Sequence, residues 1–307
     1  MRRRALLLAC AVASVVALGV VAAVALGSGG NGPVVTSHFA VATGGLQPLD
    51  PGADRVPATV AADTTPPAST TPTSTTPAAP APSGGAPLAG KVVAIDPGHN
   101  GGNGSHPSEI NRQVAIGNGR KACDTAGAET ASGYTEAEYN LDVGLRVRKV
   151  LKGLGAKVVM TRTTNDGVGP CINKRAEIGN RAGADAAVSI HADGGPSSGR
   201  GFHVIYPAPL RGLTTAIVKP SLRLAVDLRA AYGAGTGMPR ADYIARDGLD
   251  QRSDLGGLNL SKVPKVFIET GNMANATDAA KLEDAGFRER AAKAIAAGIE
   301  RFVSGSG

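Results

Sequence analysis

Two histidines and two glutamates lie at boundaries between regularly patterned segments of this sequence. His191 directly follows a short run of mostly small and β-branched apolar residues, and His99 follows a similar run after the turn sequence Asp96-Pro-Gly98. Glu269 ends a similar run, and Glu136 begins a segment with helical periodicity. Zn²⁺ prefers imidazole nitrogens combined with a carboxylate, and a catalytic site keeps one position open for water. Two histidines and one glutamate would make such a ligand set and would leave the other glutamate as a base.

Each of these residues taken alone also fits a purely structural role. A histidine after a strand is commonly a turn residue, and a glutamate at a helix start interacts favourably with the helix dipole. Glu269 is harder to explain in this way, because a carboxylate between Ile268 and Gly271 is expected to be partly buried. Whether the four residues form a site depends on the elements that position them.

The surrounding sequence alternates between strand and helix patterns. Strands are predicted at residues 92–95, 157–161, 186–190, 202–206, 242–245 and 265–268. Helices are predicted at residues 136–154, after Thr135 as N-cap, and at 172–182, 221–232 and 287–302. This alternation is typical of an α/β sheet with helices on both faces, in which ligands bind at the carboxyl ends of the strands. The polar segment 100–133 is too long for a simple connection and is expected to be functional.

Composition divides the 307-residue chain into three parts. Three arginines precede an uncharged apolar run, so residues 1–27 predict a signal peptide or an uncleaved signal anchor, and the chain is expected to be exported. Residues 28–90, rich in Thr, Pro, Ser and Ala, are expected to form a disordered linker. Residues 91–307 form the remaining domain. The net charge of +7 is accompanied by no tryptophan and no aromatic-plus-basic stripe, which argues against nucleic-acid binding.

The cysteines fit an exported protein. Cys10 lies in the apolar run, which leaves Cys123 and Cys171 in the domain. Two cysteines outside the cell commonly form a disulfide, which here would fasten the 100–133 segment to the rest of the domain. Metal binding by the thiols is the weaker alternative, because the histidine and glutamate set is complete without them.

Six motifs together resemble the zinc-dependent N-acetylmuramoyl-L-alanine amidases of the Amidase_3 type, in the order of that family and over residues 91–303. The motifs are Val-Ala-Ile-Asp-Pro-Gly-His99, Glu136 five residues before Leu141, Met160-Thr-Arg162, Arg175 with Asn180, Ser189-Ile-His191-Ala-Asp193 and Phe267-Ile-Glu269-Thr-Gly-Asn272. Actinobacterial members look most similar. The resemblance implies a single α/β domain with a central, mostly parallel sheet of about six strands. It also implies one zinc ion held by His99, Glu136 and His191, with Glu269 as the catalytic glutamate.

The sequence departs from the family pattern at two positions. Ala137 follows Glu136 where the family usually has lysine, which leaves Glu138 as an alternative ligand, although the spacing to Leu141 favours Glu136. Asn272 stands where many members have phenylalanine, a change expected to affect how the peptide stem is held. Some relatives carry an inhibitory helix near the cleft. The short, proline-containing connection from Tyr206 to about residue 221 predicts that this chain has none.

Several other residues near the predicted site are candidates for supporting roles. Asp96 is expected either to orient His99 or to close the turn that follows it. His203 either binds the reaction intermediate from a neighbouring strand or is a half-buried strand residue. Arg162 and Arg175 are expected to be structural anchors at the sheet edge, with direct substrate contact as the weaker alternative.

The resemblance implies hydrolysis of the amide between N-acetylmuramic acid and L-alanine in peptidoglycan or in smaller muropeptides. One alternative is a non-catalytic peptidoglycan-binding or regulatory protein on the same fold. Another is a zinc hydrolase that cleaves a different amide, such as a carboxypeptidase acting on the stem. The expected location is the cell envelope or the extracellular space. If the protein is anchored to the membrane, residues 1–27 are the expected anchor. The protein is expected to be a monomer.

Overall fold

A computed structural model of the protein describes residues 85–305. The predicted signal or anchor segment and nearly all of the predicted linker lie outside the described residues. Within the described part, no helix is both long and apolar enough to cross a membrane. The predicted α/β fold is confirmed.

Eight strands and seven α-helices make up the described chain. The strands are β1 (Val92–Pro97), β2 (Gln113–Ala115), β3 (Arg120–Ala122), β4 (Lys157–Met160), β5 (Ala186–Asp193), β6 (His203–Pro207), β7 (Leu249–Arg252) and β8 (Lys265–Asn272). The helices are α1 (Pro107–Ile110), α2 (Glu136–Gly153), α3 (Ile172–Arg181), α4 (Val218–Thr236), α5 (Gly256–Asn259), α6 (Ala276–Glu283) and α7 (Ala285–Ser304).

Six of the strands form the central sheet, in the order β4, β1, β5, β8, β6, β7. Every neighbouring pair is parallel except β8 and β6, so the sheet is mostly parallel, as predicted. The carboxyl ends of β1, β5 and β8 therefore meet at one edge, since these three strands are adjacent and parallel. β2 and β3 form a separate antiparallel hairpin.

The two faces of the sheet differ in the size of their side chains. Val93 and Ile95 face the main core beneath α2, α4 and α7, whereas Ala94 and Ala187 belong to a small cluster on the side of α3. Successive strand residues point to opposite faces, which explains the separation. The small side chains of Ala94 and Ala187 let α3 lie close to the sheet. Side chains of α3 can therefore reach the carboxyl edge where β1, β5 and β8 end.

Nine of the ten predicted elements are confirmed, five of them longer than predicted, and one is wrong. Thr135 caps α2, its hydroxyl accepting a hydrogen bond from the Glu138 backbone N–H. The strand predicted at residues 242–245 is absent, because Ala245 adopts a φ of +70° that a strand residue does not take. The edge strand is β7 instead. Residues 208–217, between β6 and α4, contain no helix, in agreement with the prediction for this connection.

The segment 100–133 contains regular secondary structure. It contains a short 3₁₀-helix at Asn103–Ser105, helix α1 and the β2–β3 hairpin. The predicted disulfide between Cys123 and Cys171 is confirmed and joins the end of this segment to the residue preceding α3.

Candidate metal centre

Three of the four predicted side chains converge at the carboxyl edge of the sheet. His99 follows β1, His191 lies near the end of β5, and Glu136 is the first residue of α2. Nε2 of His99 lies 3.3 Å, and Nδ1 of His191 2.8 Å, from Oε1 of Glu136. One potential ligand atom from each residue lies within 4.8 Å of the other two. The three side chains form a metal-binding triad.

The start of α2 selects Glu136 over its alternative. Glu136 is buried, and its Oε2 accepts a hydrogen bond from the Ala128 backbone N–H at 2.8 Å. Burial raises the pKa of Glu136, but the two histidines outweigh this effect and hold the pKa well below its usual value. Glu138 is exposed and is not among the residues whose ligand atoms converge. The carboxylate that faces the histidines is therefore that of Glu136.

Two glycines leave the space that the triad occupies. A Cβ added at Gly98 would lie 2.1 Å from Cε1 of His191, so only glycine at this position lets the imidazole take its place. Gly127 has a φ of +88°, and an added Cβ would lie 2.8 Å from Oε2 of Glu136 and 2.9 Å from Cδ2 of His99. The Asp-Pro-Gly-His99 motif thus shapes the site through its glycine as well as through its histidine.

The surroundings of His99 fix which ring nitrogen faces the triad. Nδ1 lies 3.0 Å from Oδ1 of Asp124 and 3.0 Å from the carbonyl oxygen of Thr125, and both of these atoms are acceptors. The proton of the neutral ring therefore sits on Nδ1, which leaves the lone pair of Nε2 free for a metal. Burial lowers the pKa of His99, but the carboxylates of Glu136 and Asp124 outweigh it and raise the pKa to about 10.

Glu269 lies beside the triad on the next strand. It pairs directly with His191 in the register of β5 and β8. Its Oε2 is buried and has no hydrogen-bond partner among the described residues. Burial and the nearby carboxylates of Glu136 and Asp193 raise the pKa of Glu269 well above its usual value. A carboxyl group in such surroundings binds a proton more readily than an ordinary glutamate does.

A cleft of about 410 Å³ opens over the triad. Its lining consists of the triad, Glu269, Asp193 and short stretches of small residues. The remaining lining residues are Thr125, Gly127, Ala128 and Gly194. The triad and the unpartnered glutamate therefore face the same space, which is the arrangement that metal-assisted hydrolysis requires.

Comparison with known proteins agrees with this geometry. The family model for Amidase_3, N-acetylmuramoyl-L-alanine amidase, matches residues 93–301. The chain belongs to the Amidase_3 family of N-acetylmuramoyl-L-alanine amidases. It is 44% identical over 220 residues to the N-acetylmuramoyl-L-alanine amidase Rv3717 of Mycobacterium tuberculosis, an alignment that covers 71% of this chain and 89% of that protein.

The solved structures of two mycobacterial amidases are similar to the structure of this protein. The crystal structure of Ami1 from Mycobacterium smegmatis has 43% sequence identity and a TM-score of 0.67, and the match covers 72% of this chain and 99% of that one. Apo Ami1 from Mycobacterium abscessus has 45% identity and a TM-score of 0.66, with 70% and 99% covered. The activity of the amidase on the N-acetylmuramoyl-L-alanine linkage of peptidoglycan follows from the family and the triad, and the family implies an extracytoplasmic location.

The structure corrects both interpretations of Asp96 in the amidase. Its buried carboxylate contacts neither His99 nor the backbone of the following turn. Oδ1 accepts a hydrogen bond from Nη1 of Arg175 at 2.9 Å, and Oδ2 accepts one from Nζ of Lys265 at 3.0 Å. Asp96 is the centre of a buried ion network, because a buried carboxylate is stable only when it is paired.

Both predicted arginine anchors are buried at the sheet edge. Arg162 donates to the carbonyl oxygens of Pro97 and Gly98, at 3.1 and 3.0 Å. Arg175 donates to the carbonyl oxygens of Pro97 and His99, at 2.7 and 2.8 Å. The arginines thus fix the backbone that carries His99, in agreement with the prediction.

His203 and Asn272 lie outside the cleft. His203 lies on β6, as one interpretation predicted, but it is fully buried and not half-buried, since it is 1% exposed and burial lowers its pKa. Asn272 has no exposed surface, and its amide nitrogen donates to the carbonyl oxygens of Pro196 and Gly199, both at 2.8 Å. Asn272 therefore shapes the 194–199 loop instead of holding the peptide stem directly.

The sequence interpretation missed three residues of the site. Asp124, Tyr243 and Lys265 contact His99, Asp193 and Asp96, respectively. Only Asp124 carried a usable signal, because it follows the disulfide cysteine of the segment expected to be functional. The other two contacts depend on the tertiary fold.

Proposed function

We propose that the amidase holds one Zn²⁺ with His99, Glu136 and His191 and uses Glu269 as its general base and general acid. The donor set fits zinc, since two imidazole nitrogens and one carboxylate oxygen lie within 4.8 Å of one another and face an open cleft. The observation that carries the proposal is the buried, unpartnered Oε2 of Glu269 beside that triad. A buried acceptor without a partner costs free energy, so its presence here indicates a functional role.

Zn²⁺, when bound, supplies Lewis acidity that polarises a carbonyl group and lowers the pKa of water. Glu269 accepts a proton from the attacking water and passes it to the leaving nitrogen, so that amide and water become a carboxylic acid and an amine. Its raised pKa suits this role, because burial and the neighbouring carboxylates make Glu269 a better proton acceptor than an ordinary glutamate. General acid–base catalysis of this kind contributes about 10²- to 10⁴-fold.

Asp124 and Arg175 hold His99 in its ligand orientation. Asp124 accepts from Nδ1 of the ring and is itself paired with Nη2 of Arg175 at 3.0 Å. Arg175 also donates to the carbonyl oxygen of His99. The ring and its backbone are therefore held by the same pair of residues, and this arrangement supports the assignment of Nε2 as the ligand atom.

We propose that residues 1–27 direct export as a signal peptide or a membrane anchor and that residues 28–84 space the domain from the membrane. The three arginines before an apolar run, and the proline- and threonine-rich composition that follows, support this assignment. The predicted linker boundary at residue 90 is too late, because Leu88 is fully buried in the main core of the domain. The exported domain is expected to act as a monomer. N-terminal sequencing of the mature protein distinguishes cleavage from anchoring.

Product analysis tests the proposed reaction. Mass spectrometry of digested peptidoglycan is expected to show intact stem peptides with a free L-alanine amine and glycan with free lactyl carboxylates. Shortened stems would identify a carboxypeptidase, and binding without cleavage would identify a wall-binding protein. The presence of all four site residues in one cleft favours the amidase.

Two classes of variant test the roles of the residues. Glu269→Gln is expected to abolish hydrolysis while one zinc ion per chain remains bound. Alanine variants of His99, Glu136 and His191 are each expected to lose the metal. Zinc loss in Glu269→Gln would mean that the roles of the two glutamates are exchanged, and zinc retention in all three alanine variants would refute the ligand set.

A further inference from the structure

The cleft holds a second carboxylate that the proposed mechanism does not use. Asp193 lies two residues after His191 on β5 and lines the cleft together with Glu269. The hydroxyl of Tyr243 donates a hydrogen bond to its Oδ2 at 2.9 Å. Oδ1 has no hydrogen-bond partner among the described residues. One oxygen of the carboxylate is thus fixed by Tyr243, and the residue lines the cleft.

The residues around Tyr243, which holds Asp193, are closely packed. The ring of Tyr243 lies directly against two glycines, since a Cβ added at Gly195 or Gly199 would come within 2.5 or 2.6 Å of it. Asn272 holds the same loop through its two carbonyl contacts. Burial and the carboxylate of Asp193 raise the pKa of Tyr243, so the phenol keeps its proton and remains a donor. The orientation of the Asp193 carboxylate is therefore set before any substrate enters.

The reaction supplies a hydrogen-bond donor that such a carboxylate can bind. The scissile amide nitrogen carries one N–H, and after cleavage the amine becomes an ammonium group at neutral pH while the other product is a carboxylate. Its N–H groups become stronger donors as this charge develops. An acceptor aimed at the nitrogen therefore stabilises the late states of the reaction more than it stabilises the bound substrate. The triad and Glu269 have other tasks, which leaves Asp193 as the remaining carboxylate of the cleft.

We propose that Asp193, oriented by Tyr243, accepts the hydrogen bond of the scissile N–H and holds the departing ammonium group of L-alanine. The inference rests on the proposed function, because Glu269 must reach the same nitrogen to deliver its proton. Asp193 and Glu269 share one cleft on strands that pair beside each other. Asp193 transfers no proton itself, so its contribution is substrate binding and stabilisation of charge.

A pair of matched muropeptides tests the proposal. One carries the natural amide, and the other carries L-lactate in place of L-alanine, so that an ester oxygen without hydrogen replaces the N–H. Asp193→Ala is expected to lower kcat/KM for the amide about 10- to 100-fold, the range for a hydrogen bond to a charged group. Its kcat/KM for the ester, relative to the unaltered enzyme, is expected to stay within about threefold, since no hydrogen bond is lost there.

Tyr243→Phe provides a second variant that keeps the carboxylate. It is expected to show the same amide-selective loss to a smaller extent, and it decides the question if Asp193→Ala fails to fold or to keep zinc. Tyr206→Phe, altered at a partly buried tyrosine outside the cleft, is the matched control and is expected to leave both substrates unaffected. Equal losses on amide and ester would overturn the proposal.

Product binding gives a readout that is independent of turnover. Stem peptide with a free L-alanine amine is expected to bind more weakly to Asp193→Ala than to the unaltered enzyme, whereas stem peptide with a propionyl group in place of L-alanine, which has no nitrogen at that position, is expected to bind equally to both. Equal weakening for both peptides would also overturn the proposal. An unaltered enzyme that cleaves neither substrate, or an active Glu269→Gln variant, would instead refute the proposed function.

Discussion

Asp124 places a carboxylate oxygen 3.0 Å from Nδ1 of His99, the ring nitrogen that faces away from Glu136. The contact joins a residue of the long polar segment to the second residue after β1. Because the segment is fixed to α3 by the disulfide, the position of a metal ligand depends on covalent structure outside the sheet.

Asp124→Ala is expected to weaken zinc binding by about 10- to 100-fold, the usual effect of removing a residue that orients a metal-bound histidine. The ring loses the acceptor that holds its proton on Nδ1, and Arg175 loses one of its two carboxylate partners. Competition with a fluorescent chelator measures the change. Asp166→Ala, at an exposed aspartate, is the control and is expected to keep its affinity. Unchanged affinity in Asp124→Ala would contradict the orienting role.

Gly98→Ala is expected to lose zinc while the fold is kept. The added Cβ would lie 2.1 Å from the His191 ring, and the movable end of that side chain would shift out of its ligand position. Zinc content and circular dichroism check the two parts of this prediction. Gly119→Ala is the matched control, because an added Cβ there meets nothing within 4 Å. Full zinc occupancy in Gly98→Ala would show that the imidazole has another position from which to bind.

Removal of the disulfide is expected to lower both stability and zinc affinity. Replacing Cys123 and Cys171 by serine frees a loop of sequence separation 48, at a cost of about 3–4 kcal/mol in the chain-entropy model. Asp124 directly follows Cys123, so its contact with His99 loosens as well. Urea unfolding and chelator competition measure the two effects.

Unfolding of both proteins in the presence of a reducing agent is the control for this double variant. The reducing agent should destabilise the unaltered protein to the level of the variant and leave the variant itself unchanged. A double variant as stable as the unaltered protein would contradict the prediction.

The fold was largely predictable because its local patterns agree with its tertiary structure. Strands 92–95, 186–190 and 265–268 were recognised from apolar runs, yet β5 and β8 continue through polar residues to Asp193 and Asn272. Their backbone hydrogen bonds persist past the point where the apolar pattern stops. The prediction of a strand at residues 242–245 was wrong for the opposite reason. This segment contains apolar residues, but Ala245 has a positive φ that ends any extended conformation.

The ligand set was predictable from residue type and motif order, whereas its support was not. His99, His191 and Glu136 each carry a local signal at an element boundary. The pair of Lys265 with Asp96 joins residues 169 positions apart, and neither residue has a local pattern that names the other. Such contacts follow only from the order of β1, β5 and β8 in the sheet.

Lys265→Met is expected to destabilise the amidase by about 3 kcal/mol, because it leaves a buried carboxylate with one cationic partner fewer. The ammonium group is 3% exposed, donates to Oδ2 of Asp96 at 3.0 Å and lies over the ring of Phe267. Arg175 still pairs with Asp96, which keeps the loss at the low end of the range for broken buried pairs. Unfolding in urea at neutral pH measures it.

The pH dependence of this loss has a defined sign. Burial raises the pKa of Asp96, but Lys265 and Arg175 outweigh it and hold the pKa well below its usual value. A carboxyl group whose pKa is lower in the folded than in the unfolded protein stabilises the fold above about pH 4, and this contribution is lost as the pH falls further. The difference in unfolding free energy between the unaltered protein and Lys265→Met should therefore be largest above about pH 4 and shrink in stronger acid. Lys174→Met, at a lysine that is 61% exposed, is the control and should match the unaltered protein at every pH. A difference that stays constant down to strong acid would show that Lys265 stabilises the fold through packing and not through its charge.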